Sequence, residues 1–311
     1  MLDKAQGCFM GLIAGDNLGS HGEFKFKDQI KSLYPKGIKE LIQGGVFNLL
    51  PGQPTDDGEM AITLARSIIF MQRFDYNHVY NSYIDWAESD PFDIGTTISN
   101  ALNQDIYDPK SASNGSLMRV APIGIYGANL DLDTVGALAI ADAECTHNNE
   151  IVFETNSIFA RTISLAIKSD LAPRDLFDQM VEWASIPAIR ETMIQAKSNF
   201  PKHMDSHNKG FCLTALQNAM YHLYHTSNFS KAINDTFKQG GDSDTNCAIT
   251  GALLGAVYGI NSIPSQWVNS VINCKPNQHT LNPRPQHYWP NDLLDLASQL
   301  LELPKKHNLK P

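Results

Sequence analysis

The chain has 311 residues, with 24 Lys+Arg against 33 Asp+Glu and a formal charge of −9. Hydrophobic residues make up 42% and charged ones 18%, enough apolar material for a sizeable core, which excludes a disordered or collagen-like chain. The acidic balance argues against a general nucleic-acid-binding surface, which needs clustered Lys and Arg. A small anionic ligand held by backbone amides remains open.

Cys8, Cys145, Cys212, Cys247 and Cys274 show no Cys-x-x-Cys spacing and read as free thiols of a reducing compartment. No segment reaches the roughly 20 apolar residues that span a bilayer. The apolar run after Lys4 leads into "GDNLGS" without a small-x-small cleavage site. A soluble, cytoplasmic protein without a membrane partner is the expectation.

In chain order, the first element is a helix carrying Gly7, Gly11 and Gly15 at i, i+4 spacing, with an end expected near Gly15. A long connection, Ser20–Thr55, follows. "ITLARSIIFMQ" places Leu64, Ile68 and Met71 on one helical face. After a second connection, Asn103–Ser113, "DTVGALAIADAECTH" groups Val135, Leu138 and Ala139. "SIFARTISLAIKSDL", "RDLFDQMVEWASI" and "LTALQNAMYHLYH" have the same period, the last of them after the loop Pro201–Gly210. "NCAITGALLGAVYG" carries a second ladder, Gly251, Gly255 and Gly259. The Pro/His-rich stretch Cys274–Pro290 precedes a final helix, "NDLLDLASQLLELPKK". Loops of that length in a compact chain are more often functional than structureless. Alternating β-branched runs are nearly absent, so residues 1–311 read as one all-α, multi-helix domain. Each mid-helix Gly costs about 1 kcal/mol relative to Ala. Three in register therefore point to a close approach of another helix.

Chemistry-bearing side chains fall into groups. Thr55, Asp56 and Asp57 precede the helix "GEMAITLARS", and Asp242, Ser243, Asp244 and Thr245 follow Gly240-Gly241 before "NCAITGALLGA". Such residues cap helices and complement the dipole. Capping needs only one of them, however, and adjacent carboxylates repel unless a cation or proton lies between. All are oxygen donors, which suits Mg²⁺ or Mn²⁺ rather than zinc. An EF-hand fails, because Cys247 and Leu253 occupy the positions of its Gly and Glu. Two such groups converging would hold a pair of metals. A third segment, "GDNLGSHGEF", contains Asp16 and Glu23 after a Gly-rich helix exit. A fourth, "SASNGSLMRVAPIG", centres on the turn dipeptide Asn114-Gly115 between Ser113 and Ser116. Exposed amides there would form an anion nest, or the dipeptide simply closes a loop. His147, in "ECTHNNE", bonds a ligand or is structural.

Together, "GDNLGSHGEF", "PTDDGEMAI", "PFDIGTTISNAL", "SNGSLMRVAPIG", "CTHNNE" and "GGDSDTNCAITGALLGAVYGINSIP" occur in the order of the ADP-ribosylglycohydrolase family. The chain resembles that family over roughly residues 5 to 267. The resemblance implies an all-α fold with two Mg²⁺ or Mn²⁺, cleaving ADP-ribose from a modified target. Thr55, Asp56, Asp57, Asp242, Asp244 and Thr245 match its metal-ligand motifs. Glu23 matches an acidic residue near the metals or the scissile ribose, with Asp93 and Asp57 as the other candidate proton carriers. Ser113, Asn114, Gly115 and Ser116 match the diphosphate loop, with Met118 in the same motif, and His147 a histidine near the adenosine end. Asp93 resembles an acidic residue near the ribose and leaving group. The implied partner is an ADP-ribosylated protein or a smaller guanidino compound, handled by a monomer. Serine-linked substrates, two-metal diphosphate cleavage and plain ADP-ribose binding are the alternatives.

Overall fold

The computed structural model describes residues 1–202, 204–206 and 209–303. Its α-helices are, in order, α1 (Leu2–Gly19), α2 (Lys27–Leu33), α3 (Asp56–Met71), α4 (Tyr76–Glu88), α5 (Thr96–Gln104), α6 (Ala121–Tyr126), α7 (Leu132–Glu144), α8 (Glu150–Lys168), α9 (Pro173–Trp183), α10 (Pro187–Ala196), α11 (Cys212–His225), α12 (Phe229–Phe237), α13 (Ser243–Tyr258), α14 (Ser265–Asn273) and α15 (Leu293–Glu302). Among the described residues there is no sheet, only isolated bridges such as Ser113 with Phe211 and Phe26 with Gly240.

The two glycine-bearing helices form the axis of the molecule. From Gly7 to Gly19 every residue of α1 is buried, as is every residue of α13 from Ser243 to Ala256. A helix buried on all sides has neighbours all round, and here each is the other's closest. They run antiparallel with backbones in contact. A Cβ on Gly7 would lie 2.5 Å from the carbonyl oxygen of Gly255, and one on Gly11 would lie 2.8 Å from the carbonyl carbon of Gly251. Gly15 meets Cys247 and Gly19 meets Ser243 in the same way. The glycines are therefore kept for proximity, and their helix-propensity loss is offset by backbone-to-backbone packing.

Three local expectations are corrected. Helix α1 does not stop near Gly15 but continues to Gly19. Its polar residues there are satisfied by distant backbone: Asn17 donates to the carbonyls of Leu50 (3.0 Å) and Gln53 (2.9 Å) and accepts from the amide of Gly52 (2.8 Å). Gly259 lies just past the end of α13 at φ +76°, so it ends the helix rather than extending the ladder. The connection Ser20–Thr55 contains α2.

Leu64, Ile68, Val135 and Ala139 are buried as expected, whereas Met71 and Leu138 are only partly covered. All five cysteines are buried free thiols. Among the described residues no helix is long and apolar enough to cross a membrane. Part of the loop at residues 201–210 and the end of the last apolar pattern, residues 304–306, lie outside the described residues.

Candidate active site

Antiparallel packing of α1 against α13 brings the C-terminal end of one beside the N-terminal end of the other. Ser243 Oγ donates to the carbonyl of Gly19 (2.6 Å), and the Ser243 amide donates to the carboxylate of Glu23 (2.9 Å). Glu23 thus sits on the N-terminus of α13, where the helix dipole favours an anion. Asp16 does the equivalent for α3. It accepts from the amides of Thr55 (2.9 Å) and Gly58 (3.1 Å) and lies 2.8 Å from Thr55 Oγ1.

These contacts bear on whether the two groups serve as helix caps. Thr55 and Asp242 occupy the N-cap positions of α3 and α13, yet neither side chain makes a capping bond. Their neighbours are left to face one another. Asp57 Oδ2 is 3.1 Å from Thr55 Oγ1 and 3.4 Å from Thr245 Oγ1, which joins the two helix starts directly. Asp57 Oδ1 is buried with no hydrogen-bond partner. Asp56 accepts from the amide of Gly95 (3.1 Å), and Asp242 accepts from Asn114 Nδ2 (2.7 Å). Glu23, Asp242 and Asp244 each bring an oxygen within 4.8 Å of the others.

Burial dominates the electrostatics, and mutual repulsion adds to it. Burial pushes Asp16 up to about 8 despite its bonds to Thr55. Asp93 is pushed up to about 7 by burial and then by Asp244, Asp16 and Asp242. Burial and the surrounding carboxylates hold Glu23, Asp56, Asp57 and Asp244 well above the ordinary range. Asp242 is raised too, with Lys209 the cation that opposes the shift. Mutual repulsion among seven acidic groups in one low-dielectric space favours the uptake of protons or cations.

The acids form the floor of a cavity of about 340 Å³. Glu23, Asp56, Asp93, Asp242, Asp244 and Thr245 line it together with Ser113, Asn114, Gly115 and Met118, and Ile94 and Ile98 add apolar surface. Thr55 and Asp57 lie beneath, both fully buried.

Two sequence-selected residues stand behind the wall. Ser116 is fully buried and accepts from Asn156 Nδ2 (2.9 Å). His147 is buried with its Nε2 2.8 Å from Ser113 Oγ, so it reaches the cavity through Ser113. The anion nest is smaller than the Asn-Gly turn suggests, because the amide of Asn114 donates to the carbonyl of Gly210 (3.0 Å).

Other residues at the site had no role assigned from sequence. Asp16 belonged to a segment already singled out, and its signal was a polar residue on a glycine-rich helix face. Arg284, from the long loop after α14, has no local signal at all. It donates to Glu59 Oε1 (2.8 Å) and Oε2 (2.9 Å), and to the carbonyls of Ser89 (2.9 Å) and Asp90 (3.1 Å). Trp86 Nε1 also donates to Glu59 (2.8 Å). The loop carrying Asp93 is thereby tied to the first turn of α3, with Asp90 held in the left-handed region at φ +57°.

The structure is an all-α body with a cleft lined by acidic groups where two helices begin. Residues 1–309 match the model of one family, the ADP-ribosylglycohydrolases. The chain belongs to the ADP-ribosylglycohydrolase family. It is 29% identical to the ADP-ribosyl-[dinitrogen reductase] glycohydrolase of Rhodospirillum rubrum, over 86% of this chain and 90% of that protein. It is 28% identical to the ADP-ribosylarginine hydrolase Tri1 of Pseudomonas putida (strain GB-1), over 87% of this chain and 74% of the relative. Its fold is that of a solved ADP-ribosylglycohydrolase-related protein complex, with a TM-score of 0.79, 24% identity, and 97% and 98% of the two chains covered.

Proposed function

We propose that this cleft hydrolyses the N-glycosidic bond between ADP-ribose and an arginine side chain, releasing ADP-ribose. The observation that carries the reading is the convergence of seven acidic groups around one cavity that Ser113, Asn114 and Gly115 also line, with the N-cap side chains of Thr55 and Asp242 making no capping bond.

The donor set fits two hard divalent cations, Mg²⁺ or Mn²⁺. It is oxygen-only, its carboxylates repel one another, and the buried Asp57 Oδ1 has no partner. Thr55, Asp56, Asp57, Asp242, Asp244 and Thr245 would hold them. Such ions supply a grip on a ribose diol and a lowered pKa for bound water.

The protein's own groups do the rest. The acidic floor stabilises positive charge as it develops on the ribose in an oxocarbenium-like transition state. Glu23, fixed by the Ser243 amide and with its proton affinity raised by burial and by Asp244, is the proton carrier, with Asp93 and Asp57 as the other candidates. Asp93 lines the cavity and can pair with a guanidinium through a charge-assisted bidentate bond. Ser113, Asn114, Gly115 and Met118 would face the diphosphate and its nucleoside, with His147 and Ser116 supporting that wall from behind.

A side-by-side release assay on arginine-, serine- and aspartate-linked ADP-ribosyl peptides, with Mg²⁺ and then Mn²⁺, tests the substrate. The arginine linkage should be cleaved fastest. Asp93→Asn should slow it by about 10–100-fold, the loss of a hydrogen bond to a charged group, and slow the serine linkage far less. Preferential serine cleavage, or arginine cleavage untouched by Asp93→Asn, would overturn it.

A further inference from the structure

A line of four buried or half-buried polar side chains runs from the interior to the cavity wall. Arg119 is fully buried and ion-paired with Asp142, its Nε 3.1 Å from Oδ2 and its Nη2 2.8 Å from the Asp142 carbonyl. Its Nη1 donates to Thr146 Oγ1 (2.9 Å). Thr146 Oγ1 is 2.8 Å from His147 Nδ1, and His147 Nε2 is 2.8 Å from Ser113 Oγ.

The chemistry of the members gives this line a direction. A guanidinium only donates, so Thr146 Oγ1 accepts from Arg119. Among the described residues the Thr146 hydroxyl has no acceptor other than His147 Nδ1. If Nδ1 carried the proton, two donors would converge on Thr146 Oγ1 and a fully buried hydroxyl hydrogen would be orphaned. The hydroxyl hydrogen therefore points at Nδ1, and the imidazole proton lies on Nε2. That proton is donated to Ser113 Oγ, so the hydrogen of Ser113, a cavity-lining residue, is left for whatever enters.

We infer that Arg119 and Thr146 are positioning residues which, through His147, present the Ser113 hydroxyl as a hydrogen-bond donor to the diphosphate of the bound ligand. The inference rests on the function proposed above for the identity of that ligand. Burial and the nearby Arg119 push His147 down to about 3, so the ring stays neutral and the relay keeps one polarity across the physiological range. With the opposite polarity Ser113 would donate to the histidine and present a lone pair to the phosphates, which is repulsive.

Long-range ¹⁵N NMR of histidine-labelled protein reads the tautomer directly in the ligand-free state, with His147→Asn used to assign the signal. The wild type should show His147 protonated on Nε2. Thr146→Val should move the proton wholly or partly to Nδ1, and Thr146→Ser should restore Nε2. In calorimetry Thr146→Val should weaken ADP-ribose binding by about tenfold or more, since a hydrogen bond to a charged group is lost, and Thr146→Ser should recover it. A wild-type His147 carrying its proton on Nδ1, or a Thr146→Val protein with unchanged tautomer and affinity, overturns the inference. Wild-type protein with the Nε2 tautomer but no affinity for ADP-ribose overturns the ligand reading instead.

Discussion

Replacing Arg284 with Met keeps a chain of similar length but removes the charge that Glu59 faces and the guanidinium over the Tyr288 ring. The pair is almost wholly enclosed, with side-chain exposures of 3% and 2%. The guanidinium also donates to Ser89 Oγ (2.8 Å) and to two loop carbonyls. Removing one partner of a buried pair costs about 3–5 kcal/mol, because the other is left uncompensated. Glu59 then retains only Trp86 among its side-chain donors. Burial already raises Glu59 while Arg284 opposes that rise. Without Arg284, its folded pKa moves further above the unfolded value, so the variant gains relative stability at low pH and loses it as pH rises.

Urea unfolding of wild type, Arg284→Met, Glu59→Gln and the double variant closes the cycle. The double variant should lose much less than the sum of the singles, because a neutral amide in place of the Glu59 carboxylate leaves no buried charge. Release activity should fall in Arg284→Met, since the Ser89–Asp93 loop loses its tie. A loss below about 1 kcal/mol for Arg284→Met at neutral pH, or additive single effects, would refute the reasoning.

Gly251→Ala should be strongly destabilising despite a helix-propensity gain of about 1 kcal/mol, because its Cβ would lie 2.7 Å from the carbonyl carbon of Gly11. A melting temperature within a degree of wild type would contradict the backbone contact. Asp244→Ala should abolish Mg²⁺ or Mn²⁺ binding while circular dichroism stays helical, and unchanged metal affinity in calorimetry would refute the ligand set. His222 is buried and pushed down to about 4, mainly by desolvation, so its contribution to stability is present above its unfolded pKa and is lost as pH falls. Between pH 6.5 and 5 the wild type should lose about 1.5 kcal/mol that His222→Asn does not. Parallel pH profiles of the two proteins would contradict that burial.

The sequence disclosed what depends on short-range pattern. Glycines at i, i+4 in two apolar helices have one economical physical use, and Gly11 against Gly251 bears it out. The acidic groups at residues 55–57 and 242–245 were visible because their residue types exceed what a cap requires. Whether they cap was not legible. The answer depends on Asp16, which takes the capping bonds of α3 from 39 and 42 residues away. The end of α1 is hidden for a related reason, since Asp16 and Asn17 look like a helix exit and their partners lie 33 to 42 residues away. Arg284 and Glu59 are 225 residues apart, beyond any local period. His147 was recognisable as part of the site, but only the three-dimensional order Thr146–His147–Ser113 places it behind the wall rather than on it.

Product identity tests the central claim most directly. The 311-residue protein, loaded with Mg²⁺ and then Mn²⁺, is incubated with an arginine-ADP-ribosylated peptide, and the products are weighed by mass spectrometry. The account predicts free ADP-ribose together with the unmodified arginine peptide, and loss of both in Asp57→Ala. AMP with a phosphoribosyl peptide would show that the diphosphate is the bond cut. Tight binding of ADP-ribose with no release of either product would show a binder rather than a hydrolase, and either result would contradict the account.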